Sequence, residues 1–247
     1  MIRAARRALA DAVSLIAPAR CAGCGVICDA PFCAECLPLI QPVNPPLCLA
    51  CGREMSVGAS CNRAECPVCA KAGFRFDECR SATKYTGPLE RAVVRFKYHR
   101  VRHLGAALAQ LMVRYTQERP ELFASYREAD FVTPVPLHWM RRAWRRFNQS
   151  EILAAPVAAA LDLPVEHALR RTRNNRPQAR LGYKERRANV KGIFAPNPAV
   201  RLKGRRVVLI DDIITSGSTV SECAATLKKH GAKKVLVYTV CRRDPCP

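Results

Sequence analysis

Four consecutive apolar residues, Val207 to Ile210, run straight into two carboxylates, Asp211 and Asp212, and soon after into Thr215-Ser216-Gly217-Ser218-Thr219. An unbroken β-branched and aliphatic run marks a strand buried on both faces, which implies a parallel sheet covered by helices. Ligands of open α/β sheets bind beyond the carboxyl ends of such strands, where the two acids fall. The small residues that follow open a helix predicted from Ser218 to His230. Their backbone N–H groups and hydroxyls at its N-terminus form a cradle for an anion. Gly217 lets the backbone close around that anion. Carboxylates would repel a bare phosphate, but they suit a ligand with hydroxyl donors a few ångströms from its phosphate, as in a ribose 5-phosphate. No GxxxxGK[ST] accompanies the acids, as it would beside a Walker-type strand, and no GxGxxG signals a dinucleotide. A mere polar turn after a strand leaves the two acids and the Thr-Ser-Gly-Ser-Thr stretch unexplained.

The same alternation extends back to Arg80. Ser81–Tyr85, Asp130–Pro134, Arg206–Ile210 and Lys234–Cys241 read as strands, while Leu89–Tyr98, Leu104–Tyr115 and Gln149–Leu161 read as helices. Two basic stretches, Pro136–Phe147 and Asn174–Lys191, are predicted as loops, the second long enough to be functional.

Upstream of Arg80 the chain changes character. It holds 14 cysteines in all, and four CxxC pairs fall in its first third: Cys21/Cys24, Cys33/Cys36, Cys48/Cys51 and Cys66/Cys69. A CxxC knuckle aims two thiolates from one tight turn at a single cation, and two knuckles complete the tetrahedral S4 shell that zinc favours. Four pairs give two zinc sites. The simplest ligand sets are sequential, with Cys21, Cys24, Cys33 and Cys36 on one ion and Cys48, Cys51, Cys66 and Cys69 on the other. Spacing equally allows a crossed set, first pair with third, and Cys28 or Cys61 can stand in for a ligand. A redox CxxC is the plainer alternative, but four tandem pairs fit ribbons better. Closed S4 shells leave no open position, so the zincs are expected to be structural, and a segment this short depends on them to fold. Cys79, Cys223, Cys241 and Cys246 lack partners at metal spacing and read as buried or terminal thiols.

Hydrophobic residues make up 49% of the chain, which excludes a disordered polymer. Lys and Arg outnumber Asp and Glu by 41 to 20, a net charge of +21 that favours polyanionic partners. No apolar run approaches the ~20 residues needed to span a bilayer. Arg3, Arg6 and Arg7 precede an apolar stretch that Asp11 interrupts, which argues against a secretory signal. Ile2, Leu9, Val13 and Ile16 share a helical face instead, so residues 1–18 are predicted as an amphipathic helix and the protein as cytoplasmic.

The segment Val207–Thr219 resembles the phosphoribosyl pyrophosphate signature of type I phosphoribosyltransferases. More of the chain is similar to one branch, the ComF family of competence-associated phosphoribosyltransferase-like proteins with an N-terminal double zinc ribbon. The matching stretches are Tyr85-Thr86-Gly87-Pro88-Leu89, Phe96-Lys97-Tyr98, Pro134-Val135-Pro136 and Phe147-Asn148-Gln149, with Gln178, Arg187, Asn189 and Phe194 further on. The family usually has Arg-Gly-Phe-Asn-Gln; here Arg146 takes the glycine position. The resemblance implies a double zinc ribbon over residues 19–76 and a phosphoribosyltransferase-like domain over 80–247, an α/β fold with helices on both faces of a parallel sheet.

By the same resemblance, Asp211 and Asp212 bind ribose hydroxyls, Thr215, Ser216, Gly217, Ser218 and Thr219 hold the 5-phosphate, and magnesium accompanies the ligand. Arg141, Arg142, Arg145 and Arg146 fall in the segment expected to face pyrophosphate. The stretch with Gln178, Arg180, Lys184 and Arg187 would be a lid, and Lys97 would stand near the entry of the nucleophile. Arg145, Arg187 and Lys97 are the catalytic candidates; a solvated basic face is the plainer account of any one arginine. Transfer of the phosphoribosyl group to an acceptor is the first functional expectation. The second is a protein that handles single-stranded DNA with other DNA-uptake proteins, its basic runs tracking phosphates and Trp139, Trp144, Phe147 or Tyr183 stacking on bases. Large aromatics are more often packed anchors, the plainer reading of those four. A pure zinc-ribbon adaptor leaves Asp211–Thr219 without a purpose.

Overall fold

The computed structural model describes residues 19–59, 61–98, 101–173 and 183–243. Its elements begin with α1 (Pro67–Ala72), β1 (Glu78–Lys84), α2 (Gly87–Tyr98), α3 (Leu104–Glu118), α4 (Ala124–Arg127) and β2 (Phe131–Pro134). Then follow α5 (Trp139–Arg145), α6 (Gln149–Leu161), β3 (Leu169–Arg171), α7 (Tyr183–Val190), β4 (Phe194–Pro196), β5 (Arg206–Ile214), α8 (Ser218–Lys229) and β6 (Lys234–Arg242).

Four strands form one sheet in the order β1-β6-β5-β2, and all three pairings are parallel. Alternation along β5 explains the layers. Val208 and Ile210 join Leu236 and Tyr238 beneath Phe96 of α2, Met112 of α3 and Leu153 of α6. Val207 and Leu209 face the other way, with Val235 and Val237, onto Val220, Cys223 and Leu227 of α8. Both faces are thus buried, as the unbroken apolar run requires.

Pairing with β6 continues through Ile214↔Arg242, so β5 runs four residues past its predicted end and takes Asp211 and Asp212 into the strand. The stretch read as a loop from Pro136 contains α5. His138 starts it, its Nδ1 accepting from the Met140 N–H at 3.3 Å, and Arg146 ends it at φ 68°. Trp139, Met140 and Trp144 fall at helical spacing between the arginines, yet all three are exposed, so this is not the usual core-facing stripe. The other predicted loop contains α7, with residues 174–182, including Gln178 and Arg180, outside the described residues. Strands β3 and β4 form a separate antiparallel pair that the sequence did not announce; three residues each are too few to show a period.

The cysteine segment does not stand apart. Val43 N–H donates to Ala82 O at 3.2 Å and Lys84 N–H to Gln41 O at 2.8 Å, which adds an antiparallel edge to β1. Cys21, Ala22, Phe32 and Cys36 belong to the same core as α2 and α3. The predicted helix over residues 1–18 lies outside the described residues. Among those described, no helix is long and apolar enough to cross a membrane.

Candidate functional site

A cleft of about 580 Å³ opens at the carboxyl ends of the strands and is lined by Asp211, Asp212, the whole of Thr215–Thr219 and Lys97. Asp212 shares parity with Val208 and Ile210, so it turns toward α2, where Lys97 Nζ lies 2.8 Å from its Oδ1. Burial acts to lower the Lys97 pKa, but the charge and hydrogen bond of Asp212, with Asp211 behind it, outweigh that and raise it. Asp211 receives the Ser150 hydroxyl at 3.0 Å and the Asp212 N–H at 3.0 Å, both on Oδ1. Burial first, then repulsion from Asp212, pushes the Asp211 carboxyl up to about 7. One lysine thus serves two adjacent acids, whose carboxylate oxygens offer acceptors for hydroxyl donors in the cleft.

The loop from Thr215 to Gly217 joins β5 to α8. Gly217 sits at φ 71°, where L side chains are strained, and a Cβ there would lie 2.6 Å from the Phe74 ring. The glycine was expected to make room for an anion; the neighbour it makes room for in the structure is Phe74, which comes from the end of the cysteine segment. The Ser216 and Ser218 hydroxyls lie 2.9 Å apart at the mouth of α8.

The arginines expected beside the cleft are distributed differently. Arg142 pairs outward with Glu151 at 3.1 Å, and Arg146 is exposed. Neither is among the described residues lining the cleft. Arg145 lies in α5 and Arg187 in α7; their side chains, like those of Arg141, Tyr183 and Lys184, lie outside what is described. Three polar or charged lining residues were not foreseen as part of the site: Ser150, Arg171 and Arg243. Ser150 directly follows Asn148-Gln149. Arg243 follows the last strand, reaches over the Tyr85 ring at 5.7 Å and donates its N–H to Ile214 O at 2.9 Å. The rule that ligands gather at strand carboxyl ends points to it. Of the aromatics, Phe147 is a packed anchor, stacked on Phe96 at 5.4 Å, whereas Trp139 and Trp144 are 70% and 50% exposed.

The eight knuckle cysteines form two groups, Cys21, Cys24, Cys33, Cys36 and Cys48, Cys51, Cys66, Cys69, each with its sulfurs within 4.8 Å of one another. This is the sequential set, and neither Cys28 nor Cys61 enters it. Hydrogen bonding from Cys51 and from backbone N–H groups holds the Cys48 thiol down to about 4, while burial drives Cys69 up to about 12. Burial likewise drives Cys36 up to about 12. Four thiolates cannot coexist at such separations without a cation, and an all-sulfur tetrahedral set fits zinc. Cys79, Cys223 and Cys241 are buried thiols in the sheet core, and Cys246 lies outside the described residues.

The phosphoribosyl transferase domain model matches residues 148–246, from the start of α6 through the whole β5–α8 unit. DNA utilization protein YhgH of Salmonella typhimurium is 32% identical over 218 residues, covering 85% of this chain and 90% of that protein. The chain belongs to the ComF family. Two further relatives agree in extent. Competence protein F of Haemophilus influenzae is 30% identical over 217 residues, with 85% of this chain and 90% of that protein covered. Competence protein ComFC of Streptococcus pneumoniae is 25% identical over 215 residues, with 87% and 89% covered. In this ComF chain Arg146 holds a left-handed backbone, φ 68°, a conformation that a glycine adopts freely and an arginine only at a cost in strain.

Proposed function

We propose that this ComF chain binds phosphoribosyl pyrophosphate with magnesium and transfers its phosphoribosyl group to an acceptor. The observation that supports this reading best is the pairing of a hydroxyl-rich loop at the N-terminus of α8 with two adjacent carboxylates in one cleft. In this reading Thr215, Ser216, Gly217, Ser218 and Thr219 hold the 5-phosphate through backbone N–H and hydroxyl donors. Asp211 and Asp212 accept the ribose hydroxyls. Both acids already have partners in Ser150 and Lys97, which suits a magnesium ion carried mainly by the ligand's own oxygens, as that ion prefers. Magnesium would supply charge to the departing pyrophosphate.

Breaking the C1–O bond leaves its electron pair on pyrophosphate and an oxocarbenium-like sugar, which the acceptor's lone pair then attacks. Catalysis is therefore positioning and charge stabilisation. Lys97 is 20% exposed and tied to Asp212, placed to steady the acid that holds the sugar. Arg145 and Arg187 are proposed to face the leaving group. Magnesium–phosphoribosyl pyrophosphate should raise the melting temperature of the wild type, because a ligand that binds only the folded state stabilises it. Asp211→Ala/Asp212→Ala should abolish the shift; equal shifts in both proteins would rule the site out.

A second reading has its own support. Trp139, Met140 and Trp144 of α5 are exposed, Tyr98 is 46% exposed at the end of α2, and both Trp144 and Tyr98 line the cleft. Exposed aromatics beside a basic chain suit stacking on unpaired bases, and one relative is named a DNA utilization protein. In this reading the chain handles single-stranded DNA, with or without turnover, alongside DNA-uptake proteins. Binding through the cleft requires the small ligand and the strand to alter each other's affinity by the same factor. Strand affinity indifferent to phosphoribosyl pyrophosphate would leave only attraction to a basic surface.

A further inference from the structure

Asn148, Gln149 and Ser150 enter α6 at the floor of the cleft, each only 3% exposed. The side chains of the first and third are engaged within the protein. Asn148 accepts from the Ser150 N–H at 3.2 Å and donates from Nδ2 to Val135 O at 3.0 Å. Ser150 donates to Asp211. Gln149 differs. Its Nε2 is sealed from solvent and meets no acceptor among the described residues, although the side chain lines the cleft. Buried amides in folded proteins are almost always bonded, and one left bare is a net cost to the fold. Packing alone would be served as well by Met, of nearly the same shape.

The position of the amide limits what it can meet. Its neighbours tie it to Asp211 on one side and to the end of β2 on the other. Helix α6 covers the face of the sheet opposite α8, so Gln149 approaches a ligand from the side away from the Thr215–Thr219 loop. With the 5-phosphate in that loop and the ribose on Asp211, the part of the ligand nearest Gln149 is the group leaving from C1. We propose that Gln149 Nε2 donates to an oxygen of the pyrophosphate, a neutral donor that orients the leaving group. This inference rests on the phosphoribosyl pyrophosphate reading and adds the residue that distinguishes the pyrophosphorylated sugar from ribose 5-phosphate.

Calorimetry on the full chain tests it, with magnesium–phosphoribosyl pyrophosphate, magnesium pyrophosphate and ribose 5-phosphate as separate probes on wild type and Gln149→Met. The variant should bind the first two about 10-fold more weakly, while ribose 5-phosphate changes less than about twofold. Its melting temperature without ligand should equal or exceed that of the wild type, because an unpartnered amide has been removed. Three results would overturn the assignment: affinities for the first two probes within about twofold of wild type, an equal loss for ribose 5-phosphate, or a variant that melts earlier or fails to fold. A wild type that binds none of the probes would instead remove the phosphoribosyl reading, and this inference with it.

Discussion

The cluster of Cys21, Cys24, Cys33 and Cys36 leaves Cys24 exposed and is clamped onto α2, whereas all four cysteines of the cluster of Cys48, Cys51, Cys66 and Cys69 are buried. At the first, Arg91 Nε donates to Gly23 O at 2.9 Å, and Arg95 donates to Cys21 O and Ala22 O at 3.0 and 3.2 Å. The helix held this way carries Lys97. At the second, the buried guanidinium of Arg242 donates to Cys51 O at 2.9 Å and that of Arg80 to Leu49 O at 3.2 Å. From Cys69 the chain turns through Gly73 to Phe74, whose ring fills the place of a Gly217 Cβ. Arg63 secures this turn by donating to Phe74 O, Phe76 O and Asp77 O. Arg75 N–H then donates to Ser221 Oγ at 3.0 Å, and Lys228 pairs with Asp77 at 2.7 Å, both on α8. One cluster steadies the lysine and the other supports the Thr215–Gly217 loop. The cysteine segment thus braces the cleft from two sides, which a separate metal-binding tag would not do.

Disrupting the second cluster should have the largest effect. Cys51→Ser should lose one zinc of an expected two per chain, lower stability by several kcal/mol and abolish the ligand-induced thermal shift. Cys24→Ser, at the exposed corner of the first cluster, should cost less and leave that shift measurable. Metal analysis with thermal melts checks both, and equal losses in the two variants would remove the distinction between the clusters.

Phe74→Ala should sharpen the comparison by cutting the support while sparing the metal. The half-buried ring is expected to contribute about 1–3 kcal/mol, and its loss should weaken magnesium–phosphoribosyl pyrophosphate about 10-fold with zinc content unchanged. Unaltered affinity would mean that the loop holds its shape unaided.

Asp211 lies between the two supports. Its carboxyl titrates near 7 in the fold, against roughly 4 in an unfolded chain. Between those values the folded chain keeps a proton that the unfolded chain has lost, so this group makes stability fall as pH rises from about 4 to about 7. Asp211→Asn should therefore stabilise the ligand-free protein by about 1–2 kcal/mol near pH 8, with the two proteins converging towards pH 4. Urea melts across that range would expose a wrong sign.

Arg146 lies at the end of α5, where neither cluster reaches. Arg146→Gly relieves a left-handed backbone at the expense of a more flexible unfolded chain, for a net gain of about 0.5–1 kcal/mol. A destabilised glycine variant would show that the Arg146 side chain contributes more than its backbone costs.

Much of this organisation was legible in the residues. Val207–Ile210 announced a doubly covered parallel strand because a short, β-branched aliphatic run that ends at once in acids and a small-residue loop suits a buried strand better than a helix. The four CxxC pairs announced two S4 clusters because geometry leaves paired knuckles little else to do. The extension of β5 through Asp211 and Asp212 was hidden, since acids at a strand end look the same whether or not the ladder continues. Helix α5 was hidden because its start rests on the His138 side chain and its end on an arginine in glycine's conformation. The support given by Phe74 joins residues more than a hundred positions from Gly217, and no local pattern in the sequence encodes such a contact.

A crystal structure of the magnesium–phosphoribosyl pyrophosphate complex would test the central assignment most directly. The account predicts the 5-phosphate within hydrogen-bonding distance of the backbone N–H groups of Thr215–Thr219, with the ribose hydroxyls on Asp211 and Asp212. Ligand bound elsewhere on the basic surface, with that loop empty, would contradict it.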